Sequence, residues 1–203
     1  QAIRYKPLSW LAWALVHEVF GLNPFGCHLA NVLLHCANTV LLFILLRHLL
    51  GCGMRNAECG VEPAAHLDLC AALGALLWAV HPLRVEPVAW VTGLPYGLSL
   101  LFLLVATLFY LRVHSPSAGK WDYWLSVAAF ALAVLSYPIV LGFVAVLVAL
   151  DFFPLRRWGG PEDARRILTG KVPFILISLL LVAGTVYGLN AFTLSYGVAS
   201  AVV

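Results

Sequence analysis

The chain has 203 residues, of which 63% are hydrophobic and only 10% are charged, and its mean hydropathy is +0.95. Because a soluble domain carries charge on about a quarter of its residues, this composition excludes a water-soluble globular protein and makes the lipid bilayer the expected solvent. The net charge of +3 is spread along the chain without a basic cluster that contains aromatic residues, so we do not expect nucleic acid as a partner.

The apolar segments are long, unbroken and rich in Leu and Ala. In lipid, backbone polar groups are satisfied only within helices or closed barrels, and these segments lack the alternation of barrel strands. We therefore predict an all-α integral membrane protein with about six transmembrane helices and an N-terminal interfacial amphipathic helix.

Residues 1–25 are predicted to form this interfacial segment. After Pro7, apolar residues recur along one helical face, and a Gly-Leu-Asn-Pro turn at 21–24 ends the helix. That face comprises Leu8, Leu11, Leu15 and Val19. The cations Arg4 and Lys6 are candidates for binding a lipid-linked phosphate, although snorkelling to bilayer phosphates is the simpler interpretation.

Residues 26–203 are predicted to form a polytopic helical membrane domain. Its spans are expected at about 26–50, 66–80, 96–112, 121–136, 139–153 and 171–192. Residues 83–93 are too polar to cross lipid and predict an interfacial or re-entrant segment.

The basic residues predict the orientation. With alternating spans, nine of the 12 Lys and Arg residues fall on one side, and Arg4, Lys6 and Arg84 fall on the other. The positive-inside rule then places the 81–93 segment and both termini of this chain outward. The outer face is the periplasm in a bacterium or the lumen of the endoplasmic reticulum in a eukaryote, and we expect the bacterial inner membrane.

The first candidate site is the segment from His81 to Glu86. The Arg84 guanidinium is suited to bidentate binding of phosphate, and His81 would assist it. Glu86 is the candidate to orient a sugar hydroxyl or to act as a base. Alternatively, the three residues cap a short helix and pair with one another.

The second candidate is a polar stripe within the first span. It comprises His28, Asn31, His35 and Asn38. Their spacings of three, four and three place them on one helical face. We favour interhelical hydrogen bonding that fixes the packing; the alternative is the lining of a lipid or glycan groove.

Other chemistry is not indicated. The sequence has no P-loop, dinucleotide fingerprint, nucleophile elbow or metal-ligand cluster, so no metal is expected. The spans also lack the series of carboxylates typical of an ion-coupled carrier. Asp151 lies near the predicted inner boundary, where we expect it to pair with an arginine.

The order of motifs resembles the C-type glycosyltransferases related to the protein O-mannosyltransferases, in the branch that carries tetratricopeptide repeats (the TMTC-type proteins and their bacterial relatives). The main similar segments are KPLSWL at 6–11, FGLNPFG at 20–26, HLANVLLH at 28–35 and HPLRVEPVAW at 81–90. Weaker similarity lies at 135–136, 151–157 and 171–174. The resemblance implies a helical bundle that transfers a sugar on the outer membrane face, from a polyprenyl-phosphate-linked donor to a protein or lipid acceptor. It implies no other cofactor.

Some features depart from the family pattern. The family's catalytic acid lies upstream of the segment that matches 6–11, relatives carry charges where this chain has Gly93 to Gly97, and they often carry a lysine where it has Tyr137. We therefore expect either the middle of such an enzyme or a descendant that kept only the scaffold. The alternative function is a non-catalytic subunit that packs against other integral membrane proteins, with a lipid or sugar-carrier transporter as a third possibility.

Overall fold

The computed structural model describes residues 6–55, 64–116, 118–138, 142–153, 155–157, 159–184 and 187. These residues are helical or in turns, without a β-strand among them. The helices are α1 (Pro7–Phe20), α2 (Pro24–Arg55), α3 (Ala64–Ala79), α4 (Val85–Ala89), α5 (Leu94–Val113), α6 (Asp122–Ser136), α7 (Phe143–Phe152), α8 (Pro161–Thr169) and α9 (Val172–Gly184). The all-α prediction is confirmed for this part of the chain.

Within the described residues, the number of candidate membrane spans is smaller than the six expected. Two helical stretches, Pro24–Gly51 and Val91–Val113, are long and apolar enough to cross a bilayer alone. Two bent pairs, α3 with α4 and α8 with α9, bring the number to four if each counts as one span. Helices α6 and α7 have 15 and 10 residues, so they extend only about 22 and 15 Å, against roughly 30 Å of hydrocarbon.

The bend between α3 and α4 has a local cause. Pro82 has no amide hydrogen to continue the helix, and His81 before it is extended, with φ −63° and ψ 133°. The chain turns by 59° and continues through a 3₁₀ turn at Pro82–Arg84 into the short α4. The polar 83–93 segment therefore forms short helical pieces, and a second 3₁₀ turn at Val91–Gly93 leads into α5.

Contacts between helices define two ends of the bundle. At one end, the start of α2 meets the residues between α3 and α5, and the start of α1 meets the end of α6. At the other end, the last turns of α5 and α7 meet the start of α9. We call these the Trp78 end and the Asp151 end.

The core lies among α5, α6, α7 and α9. Helices α5 and α6 make the most extensive contact, and small residues such as Ala106 and Ala133 let them approach closely. Phe174 is fully buried at the centre, with its ring centroid 5.4 Å from that of Phe130 and 6.5 Å from that of Phe143. This core holds the ends of the helices in fixed positions.

Helix α1 packs on the bundle through a small polar residue. The buried Ser9 hydroxyl donates a 2.7 Å hydrogen bond to the Ser136 carbonyl at the end of α6. The predicted apolar face points away from this contact, since Leu11, Leu15 and Val19 are all exposed. An exposed apolar face is what an interfacial helix requires, and the position of α1 in the bilayer stays a prediction.

Candidate functional site

The two polar segments selected from the sequence meet at the Trp78 end. They enclose a cavity of about 50 Å³ between the first half of α2, the end of α3 and the start of α5. Its lining comprises Asn31, Leu34, His35, Asn38, Trp78, Arg84, Pro87, Val88, Tyr96, Gly97 and Leu100. We call it the Trp78 cavity.

Three members of the α2 stripe bond to backbone carbonyls of other elements. The Asn31 amide nitrogen donates to the carbonyls of Val88 at 3.3 Å and Trp90 at 2.7 Å. That of Asn38 donates to the Gly97 carbonyl at 2.9 Å. His35 Nε2 lies 3.0 Å from the Ala79 carbonyl, at the point where α3 ends. The packing interpretation predicts contacts of this kind. The two bonds from Asn31 fix the 83–93 segment against α2.

The same two asparagines also leave acceptors unused. Asn31 and Asn38 are 3% and 1% exposed, and the Oδ1 atom of each is buried without a hydrogen-bond partner in the described chain. A buried acceptor without a donor costs about 1–3 kcal/mol. Both asparagines are lining residues of the cavity, so two residues of its wall carry an unused carbonyl acceptor.

Arg84 lies over an aromatic stack. Its guanidinium carbon is 5.1 Å from the centre of the Trp78 ring, and that ring stacks on His35 with centroids 5.3 Å apart and 22° between the planes. The attraction between a cation and an aromatic face orients the guanidinium. Arg84 is only half-buried, so a positively charged group borders the cavity while keeping contact with solvent.

The other residues of the first candidate site are not brought into the cavity. His81 is exposed, and its Nδ1 accepts from the Leu83 amide at 3.2 Å, which caps the 3₁₀ turn. Glu86 is exposed on α4 and absent from the lining, as is His28 at the start of α2. Among the described residues, Arg84 and Glu86 form no ion pair. Of His81, Arg84 and Glu86, only Arg84 borders the cavity.

The N-terminal cations differ in what the structure shows of them. Arg4 lies outside the described residues. Lys6 Nζ is 4.6 Å from the centre of the Tyr137 ring. Tyr137 packs on Tyr96 with centroids 4.5 Å apart and a 3.3 Å contact between the hydroxyls, and Tyr96 lines the cavity. Two aromatic rings therefore connect Lys6 to the cavity wall.

A second polar cluster lies at the Asp151 end, where sequence reasoning found only part of it. The expected pairing of Asp151 with an arginine is confirmed, because Arg157 Nη1 lies 2.9 Å from Asp151 Oδ1. Lys171 Nζ lies 2.5 Å from Oδ2, and the Tyr110 hydroxyl bonds to both carboxylate oxygens at 2.8 and 2.7 Å. Lys171 also contacts the Tyr110 hydroxyl. Lys171 was expected among the inner loop cations, yet it is 1% exposed.

His114 borders this cluster just beyond α5. Its Nδ1 lies 2.9 Å from the Tyr110 carbonyl, and its ring packs on the Tyr110 ring with centroids 5.0 Å apart. Burial lowers the pKa of His114 because desolvation disfavours the charged imidazolium. Within the described part of the chain, no group of three or more His, Cys, Asp or Glu side chains is placed to hold a metal ion.

The chain is similar to known proteins across most of its length. Protein O-mannosyl-transferase TMTC2 of Mus musculus is 32% identical over 187 residues, which are 89% of this chain and 21% of that protein. Protein O-mannosyl-transferase TMTC4 of Homo sapiens is 26% identical over 200 residues, which are 93% of this chain and 26% of that protein. The Drosophila melanogaster protein O-mannosyl-transferase Tmtc3 is 34% identical over 129 residues, 61% of this chain and 14% of its own length.

The chain thus spans about a fifth to a quarter of the length of the first two of these relatives. No family model matches the sequence. No solved structure matches it either.

Proposed function

Since this chain belongs to the TMTC-type family of protein O-mannosyltransferase relatives, we propose that it is part of the membrane domain of a glycosyltransferase. In this proposal the sugar moves from a polyprenyl-phosphate carrier to an acceptor on the outer or lumenal face. The relatives are named as mannosyltransferases, which makes mannose the first sugar to test.

The observation that carries the proposal is the convergence at the Trp78 cavity. The α2 stripe and the segment around Arg84 are more than 40 residues apart in sequence, yet they border the same small space. The Arg84 guanidinium can donate two parallel hydrogen bonds to a pair of phosphate or phosphodiester oxygens. Asn31 and Asn38 line the same space, and their unpartnered Oδ1 atoms would accept from hydroxyl donors once the side chains turn toward it. A phosphate that carries a sugar offers both groups.

The size of the cavity limits how such a donor would bind. About 50 Å³ accommodates a few water molecules or a hydroxyl-bearing group, so the hexose ring would lie at the mouth and place one edge inside. In this arrangement Arg84 holds the phosphate and Asn38 accepts from the sugar. Glu86, exposed on α4, is proposed as a base that acts at the mouth and not within the cavity.

The membrane arrangement forms part of the same proposal. The Trp78 end is placed on the outer face because most of the basic residues belong to the opposite end. Six membrane crossings would require α6 and α7 to extend their apolar length beyond their described bounds. The bacterial inner membrane remains a prediction.

Transfer of radiolabelled mannose from polyprenyl-phosphate mannose, in membranes that contain the protein, tests the proposal. We expect Arg84→Ala to lower transfer at least about tenfold, since a charge-assisted phosphate contact is worth roughly 1.5–3 kcal/mol. Arg84→Lys should recover part of it, because lysine keeps the charge and loses the fork. Glu86→Gln should lower turnover while donor binding persists.

The matched control is Arg165→Ala, which removes an exposed arginine of α8 at the opposite end. It should transfer mannose like the unmodified chain. Equal transfer by the Arg84→Ala variant and this control, at equal amounts of inserted protein, would refute a role for the Trp78 cavity in donor binding.

A second function has support from a different observation. Each donor bond that Asn31 and Asn38 make ends on a backbone carbonyl of this chain, and α1 exposes Leu11, Leu15 and Val19. Both features suit a non-catalytic subunit whose apolar faces contact other integral membrane proteins. Purification in mild detergent distinguishes the two functions. A stoichiometric partner without mannose transfer supports the subunit, whereas a monomer that transfers mannose supports the enzyme.

A further inference from the structure

A larger groove lies at the Asp151 end, away from the Trp78 cavity. Helices α2, α3 and α5 enclose about 880 Å³ there, within the range of roughly 300–1,000 Å³ typical of ligand sites. We call it the Arg47–Arg112 groove. Its apolar wall includes Leu41, Ile44, Leu67, Val105, Leu108 and Phe109. Its polar residues include Arg47, His48, Arg112 and His114.

The two arginines are held in place by acids that stand outside the groove. Arg47 Nε lies 2.7 Å from Asp68 Oδ1, and Arg112 Nε lies 3.3 Å from Asp122 Oδ2. Neither aspartate is among the described residues that line the groove. A guanidinium has five N–H donors, so these contacts leave others available. The arginine side chains are 59% and 58% exposed, which keeps them accessible to an anion.

The two histidines of the groove differ in their surroundings. His48 is exposed beside Arg47, whereas His114 is partly buried and directs Nδ1 to the Tyr110 carbonyl. Because burial lowers the pKa of His114, this residue is neutral at pH 7. The positive charge of the groove therefore comes mainly from Arg47 and Arg112.

Two arginines beside an apolar wall are suited to binding an amphiphile, a molecule with a charged headgroup and a hydrocarbon chain. A mouth with two arginines complements a phosphate, and the wall along α2 and α5 complements a hydrocarbon chain. Basic pockets between membrane helices bind anionic lipid headgroups for this reason. We propose that the Arg47–Arg112 groove binds an acidic glycerophospholipid from the surrounding leaflet, with its phosphate between the two arginines and an acyl chain along α2 and α5.

The proposal is independent of sugar transfer, because none of the described residues lines both the groove and the Trp78 cavity. Native mass spectrometry of the detergent-purified protein tests it, with phosphatidylserine and phosphatidylcholine as probes. We expect the unmodified chain to retain phosphatidylserine in preference to phosphatidylcholine. The double variant Arg47→Gln/Arg112→Gln should reduce that retention at least about tenfold, since each arginine provides a charge-assisted phosphate contact.

The matched control is Arg165→Gln/Arg166→Gln, which removes the same charge from exposed positions on α8. It should retain phosphatidylserine like the unmodified chain. An equal loss in both double variants would overturn the proposal, since it would indicate general attraction by surface charge.

Two further variants test the site without removing charge. Leu108→Trp adds a bulky ring to the apolar wall and should displace the acyl chain, which lowers retention. Arg47→Lys/Arg112→Lys keeps both charges and is the variant to use if the glutamine pair aggregates; it should retain less phosphatidylserine than the unmodified chain. Full retention by Leu108→Trp would overturn the proposed acyl-chain site. Stronger retention of a polyprenyl phosphate than of phosphatidylserine would overturn the proposed occupant.

Discussion

The Asp151 cluster and the Trp78 cavity are both polar regions inside an apolar bundle, but they differ in how completely their groups are paired. At the Asp151 end, Lys171, Tyr110 and Arg157 all contact the one carboxylate, which is fully buried. At the Trp78 end, Asn31 and Asn38 keep unpartnered acceptors beside a cavity, and Arg84 stays half-exposed. The first arrangement is suited to joining helices, and the second to receiving a ligand.

The energetics of burial explain this difference. Removing charges from water is expensive, and the attraction between ions compensates only when geometry and hydrogen bonding are good. The Asp151 cluster meets that condition and connects the last turns of α5 and α7 with the start of α9. The residues around the Trp78 cavity leave some of their hydrogen-bonding capacity unused.

The largest predicted effect comes from breaking the Asp151 cluster. Asp151→Asn leaves the buried Lys171 ammonium without its carboxylate, and removing one partner of a buried pair costs about 3–5 kcal/mol. Thermal unfolding in detergent should show a large loss of stability. The control is Asp163→Asn, which removes an exposed acid on α8 and should change stability little. Equal unfolding temperatures for the two variants would show that the Asp151 cluster does not stabilise the bundle.

A smaller effect is expected where the 83–93 segment joins α5. A Cβ atom on Gly93 would lie 2.0 Å from the Pro87 carbonyl oxygen, so Gly93→Ala must displace α4 and with it Arg84. Overpacking of this kind costs about 1–3 kcal/mol, and we expect donor binding to fall as well. Gly142→Ala is the control, because no described neighbour lies within 4 Å of a Cβ there. Donor binding that survives in Gly93→Ala would show that the Trp78 cavity does not depend on this turn.

Part of the geometry of the Trp78 end follows from local spacing in the sequence. Spacings of four and three place Asn31, His35 and Asn38 on one face of a long helix, and Pro82 breaks the next helix at a predictable point. Neither signal states that the two segments border the same cavity. That depends on the packing of α2 against α3 and α5, which sequence periodicity does not encode.

The Asp151 end was predicted only in part, because its contacts also depend on how the helices pack. Lys171 begins an apolar run, a position where a basic residue ordinarily faces the aqueous side of the membrane. Only tertiary contacts turn it inward, toward a carboxylate 20 residues earlier. The predicted span 121–136 agrees with α6 to one residue. Helix α7 begins at Phe143, later than the predicted 139–153, since an apolar run does not specify where its helix begins.

The smallest predicted effect on stability comes from removing one hydrogen bond beside the Trp78 cavity. Asn38→Ala removes the 2.9 Å bond to the Gly97 carbonyl, and interhelical hydrogen bonds in membranes are worth about 0.6 kcal/mol on average. The variant also removes an unpartnered buried acceptor, which offsets part of that loss. Thermal unfolding should therefore change far less than in Asp151→Asn, while the affinity for polyprenyl-phosphate mannose falls. A loss of stability as large as that of Asp151→Asn, with donor binding unchanged, would make Asn38 a structural joint like Asp151 and favour the non-catalytic subunit.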